Sequence, residues 1–188
     1  MRIISGNYKG KKILLPKDKL TRPLKDLTKE SIFNIIKHSK LLDINLENSN
    51  ILDLFSGVGS FGLECLSRGA ASVTFLESYK EVLTILKKNI DNLKQQSSSN
   101  IIEKDIFSEN TLKALNNKFD IIFMDPPYKE KKLVGLLNTI IQLKLLKDNG
   151  TIIIHRHQKE EDLFPDEFNI IIEKNYGISK IIFGNTLS

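Results

Sequence analysis

The chain has 188 residues and a single cysteine, Cys65. That excludes an internal disulfide and a cysteine-built metal cluster, and it fits a reducing compartment. No apolar run approaches the ~20 residues that a membrane-spanning helix needs. The opening, Met1-Arg2-Ile3-Ile4-Ser5-Gly6, lacks the apolar centre of a signal peptide. Internal repeats are absent, and the one low-complexity patch, Gln95-Gln96-Ser97-Ser98-Ser99-Asn100, reads as a loop. Three histidines give no set of metal ligands. The expectation is a soluble, cytoplasmic monomer with no membrane and no metal. A chain of this length buries roughly 70% of its unfolded surface and needs no covalent staple.

Charge is present but unevenly placed. The net charge is +5. Residues 1–40 hold 11 Lys+Arg against 3 Asp+Glu, a balance of +8; residues 41–188 hold 17 against 20, a balance of −3. A basic arm on a slightly acidic body points to an anionic partner met by the N-terminal segment. A lysine-rich solvated face gives the same count, so charge alone leaves nucleic acid undecided.

From residue 50 the hydrophobic pattern alternates between period 2 and period 3.6. Strands are predicted at 51–55, 73–77, 101–105, 119–124 and 150–154, and helices near 60–66, 79–94, 112–115 and 131–146. Two further strands, 168–172 and 178–183, join near Asn175-Tyr176-Gly177. Such alternation predicts an α/β fold: a Rossmann-like, seven-stranded, mostly parallel sheet with a C-terminal antiparallel hairpin at its edge. Before it, Ile3-Ile4 and Ile13-Leu14-Leu15 suggest a small β-hairpin, and apolar residues over 27–39 suggest a helix capped by Thr28. The chain is therefore expected to divide into a basic extension, 1–40, and a main domain, 41–188.

In parallel sheets ligands bind beyond the carboxyl ends of the strands. Asp53, Glu77, Asp105 and Asp125 all fall there. Asp53-Leu54-Phe55-Ser56-Gly57-Val58-Gly59-Ser60-Phe61-Gly62 contains a Gly-x-Gly-x-x-Gly turn between strand and helix. With Glu77 twenty residues after Gly57, it also satisfies the dinucleotide fingerprint, so an oxidoreductase is a rival reading. Charge separates the two. A pyrophosphate on this turn would be repelled by Asp53. S-adenosylmethionine brings an ammonium and a sulfonium, which Asp53 favours. Gly57 and Gly59 permit close backbone approach. Phe55 lies beside the turn, Glu77 suits ribose hydroxyls, and Asp105 suits an adenine amino group.

Asp125-Pro126-Pro127-Tyr128 follows a buried strand. Its two prolines stiffen the turn and remove two backbone donors. The Asp125 carboxylate and the Pro126 carbonyl are then available as fixed acceptors. An exocyclic amine of a base is a weak nucleophile because its lone pair is conjugated with the ring. Two acceptors on its hydrogens favour a pyramidal nitrogen with a freed lone pair, and positioning does the rest. Tyr128 offers a stacking face, worth about 1–3 kcal/mol per base.

Taken together these residues resemble the class I methyltransferases that act on amino groups. Arg2-Ile3-Ile4-Ser5-Gly6-Asn7-Tyr8-Lys9-Gly10-Lys11-Lys12-Ile13, then Thr21-Arg22-Pro23, Asp26 and Lys29-Glu30-Ser31-Ile32-Phe33-Asn34, narrow the resemblance to the RsmD family, bacterial small-subunit (16S) rRNA guanine-N2 methyltransferases. It covers Met1 to about Gly150. It implies S-adenosylmethionine as cofactor, ribosomal RNA or the small ribosomal subunit particle as partner, and Arg2, Lys9, Lys11, Lys12 and Arg22 as phosphate contacts. Leu24 and Leu27 depart from the family pattern, which has Thr and Arg there. Open alternatives are an adenine-N6 or other nucleic-acid amino-methyltransferase, a dinucleotide oxidoreductase, and a non-catalytic RNA-binding assembly factor. His155 and His157, with no third ligand nearby, read as surface polar residues, Arg156 between them as available to RNA, and Cys65 as core.

Overall fold

The computed structural model describes residues 1–16, 24–108 and 110–187. Arg22, with Thr21 and Pro23 of its motif, lies outside the described residues. Along the chain run α1 (Asp26–His38), β1 (Asn50–Leu54), α2 (Ser60–Ser67), β2 (Ser72–Leu76), α3 (Lys80–Leu93), β3 (Ser99–Ile102), β4 (Phe119–Met124), α4 (Leu133–Gln142), β5 (Leu146–His157), β6 (Phe168–Tyr176) and β7 (Ser179–Thr186). The seven strands form one sheet in the order β3-β2-β1-β4-β5-β7-β6. The first five run parallel; β7 is antiparallel to both β5 and β6. The chain winds outward from β1 to β3 and returns to β4, so strand order reverses between β1 and β4. At such a switch point the strand ends open a crevice.

Strand alternation splits the core between two faces of the sheet. Ile51, Val73, Phe75, Ile121, Phe123, Ile153 and Phe183 face α1, α2 and α3. Leu52, Leu54, Leu76, Ile122, Met124, Ile152 and Ile154 face α4. A column of rings joins α1, α2 and β4: Phe33 and Phe61 stack at 5.2 Å, and Phe61 and Phe123 at 3.9 Å. Each buried ring contributes about 3–5 kcal/mol by the cost of its removal. Cys65 is wholly buried in the same cluster, and burial pushes its thiol up.

Several sequence expectations are corrected. The N-terminal hairpin is reduced to one bridge, Arg2 with Lys12, because Gly6 and Gly10 turn the chain at positive φ between them. Thr28 does not cap α1; it is buried in the first turn, and Lys25 precedes the helix with no side-chain cap. No helix forms around Leu112 and Leu115, where the chain makes turns that bury Leu112. β3 ends at Ile102, three residues short of Asp105, and β5 is much longer than 150–154, running to His157.

The first 16 residues lie on α2 and α3. Ile3 and Ile13 are buried in the main core. Glu64 of α2 accepts hydrogen bonds from Ile4 N and Ser5 N at 2.8 and 3.0 Å. The buried Lys29 lies 3.6 Å from the same carboxylate and donates to the Arg2 carbonyl. Desolvation pushes the Lys29 ammonium below its ordinary value, and Glu64 works against that. Asn89 of α3 bonds both backbone groups of Leu14 and also donates to the Val58 carbonyl in the glycine turn.

Candidate active site

A cavity of about 570 Å³ opens at the switch point. Of the residues that the sequence nominates for cofactor and chemistry, Asp53, Phe55, Gly57, Glu77, Asp105, Asp125, Pro126, Pro127 and Tyr128 line it; Gly59 does not. Gly59 instead starts α2 in the left-handed region, at φ 84°, and a Cβ there would meet Leu86 Cδ1 at 2.6 Å. Its role is conformational. Phe55 also has positive φ, 58°, which turns its ring toward Phe107, 5.8 Å away.

Asp53 is wholly buried. Its Oδ2 accepts from Gly62 N at 3.0 Å, and its Oδ1 has no partner among the described residues. Burial, opposed by the Gly62 bond and reinforced by the charges of Asp125 and Glu77, pushes its carboxyl up to about 8. Glu77 is fixed differently. Its oxygens accept from Gly57 N, Ser78 N and Tyr79 N at 2.8, 2.8 and 2.9 Å. A carboxylate has about four lone-pair sites. One is left for a ligand. The acidic side chains also occupy the amides Gly57 N and Gly62 N. Those are amides on which a pyrophosphate would have to sit, which disfavours a dinucleotide. Asp105 is exposed at the rim and holds its own loop, accepting from Phe107 N at 3.0 Å.

The register of β1 on β4 pairs Leu54 with Met124, so Asp125 leaves the sheet beside the glycine turn. Pro126 is buried and Pro127 exposed. Among the described residues nothing donates to the Pro126 carbonyl, whereas the Pro127 carbonyl accepts from Glu130 N at 2.8 Å and Arg156 Nη1 at 3.1 Å. Tyr128 meets the rings of His155 and His157 edge-on, at 6.0 and 5.1 Å between centroids.

The end of β5 overturns two sequence readings. His155 is not a surface residue. It is 6% exposed and lines the cavity, with Nδ1 2.8 Å from Asp125 Oδ1 and Nε2 2.9 Å from Ser179 Oγ. Arg156 is not available to RNA. It is 1% exposed, and it donates to the Asp162 carboxylate at 2.7–3.1 Å and to the carbonyls of Pro127 and Glu130. The signal in the sequence was position: both residues follow an apolar strand that runs next to β4. Leu24 is buried at the cavity wall, and Leu27 is exposed on α1. Arg2, Lys9, Lys11 and Lys12 are all exposed on the N-terminal segment.

No group of histidine, cysteine and carboxylate suited to a metal exists among the described residues. None of the helices there is long and apolar enough to cross a membrane.

Comparison with known proteins agrees with this geometry. Residues 1–185 match the family described as conserved hypothetical protein 95. The chain is 35% identical, over 92% of its length and 86% of the relative's, to the ribosomal RNA small subunit methyltransferase D of Buchnera aphidicola. A solved structure from Escherichia coli, described as a candidate methyltransferase, superposes with a TM-score of 0.82 at 26% identity, covering 100% of this chain and 98% of the other. A candidate methylase from Haemophilus influenzae superposes with a TM-score of 0.77 at 31% identity and the same coverage. The chain belongs to the conserved hypothetical protein 95 family, the family of ribosomal RNA small subunit methyltransferase D.

Proposed function

We propose that this protein transfers a methyl group from S-adenosylmethionine to the N2 amine of a guanine in small-subunit ribosomal RNA. The observation that carries the reading is one cavity that holds both the glycine turn with its buried, half-satisfied Asp53 and the Asp125-Pro126-Pro127-Tyr128 turn. Those residues fit the cofactor. The unpartnered Oδ1 of Asp53 suits a positively charged group, the free lone-pair site of Glu77 suits a ribose hydroxyl, and Asp105 suits an adenine amine at the rim. Gly57, at φ 55° with no atom nearer than 4.0 Å to its missing Cβ, leaves space at the turn. When bound, S-adenosylmethionine supplies a methyl group already activated on sulfonium.

The remaining work belongs to the chain. Asp125 and the Pro126 carbonyl accept the two hydrogens of the substrate amine and so favour the pyramidal nitrogen. The proline-locked turn fixes both acceptors before substrate arrives, so little reorganisation is needed at the moment of reaction. Tyr128 stacks on the base. A guanine inside a duplex would first have to flip out. Arg2, Lys9, Lys11 and Lys12, and Arg22 beyond the described residues, supply positive charge for RNA phosphates. The basic segment 1–40 thus serves the substrate and residues 41–188 the chemistry. The names of the relatives support rRNA as substrate.

Asp125→Ala should lower kcat on small-subunit rRNA by at least ~10²-fold, while S-adenosylmethionine binding, followed by calorimetry, stays within a few-fold. Normal turnover by that variant overturns the mechanism.

A further inference from the structure

Asp125 does not stand alone at the cavity. Three elements bring a continuous chain of side chains to it: Asp125 from the end of β4, His155 from β5 and Ser179 from the start of β7. The distances are 2.8 Å from Asp125 Oδ1 to His155 Nδ1 and 2.9 Å from His155 Nε2 to Ser179 Oγ. His155 and Ser179 are 6% and 5% exposed, so the imidazole is held by both ring nitrogens inside the wall of the site. Register creates the contact. His155 lies one residue beyond Ile154, the partner of Met124, on the parallel strand next to β4, and the antiparallel β7 brings Ser179 to the same end of the sheet.

We infer that His155 is a positioning residue for methyl transfer, acting through Asp125 and held at its other ring nitrogen by Ser179. The inference rests on Asp125 being an acceptor for the substrate amine. A serine hydroxyl can donate to a neutral ring nitrogen. A carboxylate only accepts, so in the neutral ring the proton sits on Nδ1 and points at Asp125, while Nε2 accepts from Ser179. That bond occupies Oδ1 and fixes the carboxylate plane. Oδ2 is left for an N–H of the substrate. The opposite tautomer would present a lone pair of Nδ1 to Oδ1 and repel it. The titratable and charged groups facing the ring are Asp125 from β4, Tyr128 from the turn and His157 two residues along β5; Ser179 is the polar contact from β7.

The arrangement makes three variants informative. His155→Leu removes the donor and the ring. His155→Asn restores an N–H close to where Nδ1 stood, because the side-chain amide nitrogen occupies that branch. Ser179→Ala keeps the ring and removes the bond that holds Nε2.

The test is steady-state methylation of small-subunit rRNA by the full-length protein, its three variants and Asp125→Ala. Thermal melting of each protein accompanies the assay. The expected result is a kcat loss on the order of 10–100-fold for His155→Leu, the scale at which groups that orient an active-site ligand act. The KM values for RNA and cofactor should change less than about threefold. His155→Asn should recover most of the loss. Ser179→Ala should lower kcat in the same direction by a smaller factor. If Asp125→Ala is inactive while His155→Leu turns over like wild type, His155 has no such role. The same conclusion follows if His155→Asn is no better than His155→Leu. If Asp125→Ala is fully active, the reading of the turn itself has failed, which is a different result. Because His155→Asn keeps a polar amide and Ser179→Ala removes a single oxygen, they decide the question even if His155→Leu does not fold.

Discussion

Asp53 is wholly buried yet lines the same cavity as Asp125 and Glu77, and its carboxyl is pushed up to about 8, chiefly by desolvation. In the ligand-free protein near neutral pH the folded chain therefore holds a proton that the unfolded chain, with an ordinary aspartate near ~4, has released. The sign follows from linkage. This contribution to stability is complete below the unfolded value and is lost as pH rises through about 8. A cationic ligand reverses the preference, because it favours the ionised carboxylate. Binding of S-adenosylmethionine at pH 7 should release close to one proton, and affinity should rise with pH toward 8. Calorimetry in buffers of different ionisation enthalpy measures that release directly. Asp53→Asn should abolish it; a buffer-independent heat in the wild type would contradict the assignment. The aspartate was legible in the sequence from its place before a glycine turn. Its missing partner was not, because that depends on how α2 folds back to offer Gly62 N and nothing else.

At the scale of elements, the turn at 125–128 is held from behind by the end of β5. The guanidinium of Arg156 spans Asp162 and the carbonyls of Pro127 and Glu130, tying the turn and the loop after it to the loop after β5. The pair is buried, with Arg156 2% and Asp162 9% exposed at their side chains. Removing one partner leaves an uncompensated charge, so Arg156→Ala should cost about 3–5 kcal/mol. Arg156→Lys recovers little, because an ammonium cannot reproduce the planar fork. Urea unfolding checks this; a loss below ~1 kcal/mol would show that the clamp carries little. The strand-helix alternation from residue 50 was readable because fully buried strands are continuous apolar runs. The end of β5 was misread for a matching reason. His-Arg-His is polar, and polar residues after an apolar run signal an exposed end unless tertiary partners satisfy them. Here the partners, Asp125, Asp162 and Ser179, come from 6 to 30 residues away. The absent helix near Leu112 shows the converse: a few apolar residues at helical spacing were used to bury turns.

Across the whole molecule, the basic balance of the first 40 residues is divided by the fold. Lys29 is consumed inside the core by Glu64 and the Arg2 carbonyl, whereas Arg2, Lys9, Lys11 and Lys12 remain exposed. Residues 1–14 are joined through Glu64 and Asn89 to the two helices that flank the glycine turn. A surface charge cluster seated on the catalytic body in this way should bind RNA with strong salt dependence. Each phosphate neutralised contributes about −0.7 to −0.9 to the log–log slope. Replacing Lys9, Lys11 or Lys12 by alanine should reduce the slope by about that amount each, and an unchanged slope would remove that residue from the interface. The reaction proposed for this site is methylation of guanine N2. Its most direct measurement is mass-spectrometric mapping of small-subunit rRNA after incubation with S-adenosylmethionine and either the wild-type protein or Asp125→Ala. The prediction is a guanine that gains one methyl group on N2 with the wild type and none with the variant. No modified nucleotide, a methyl group on another atom, or equal modification by both proteins would contradict it.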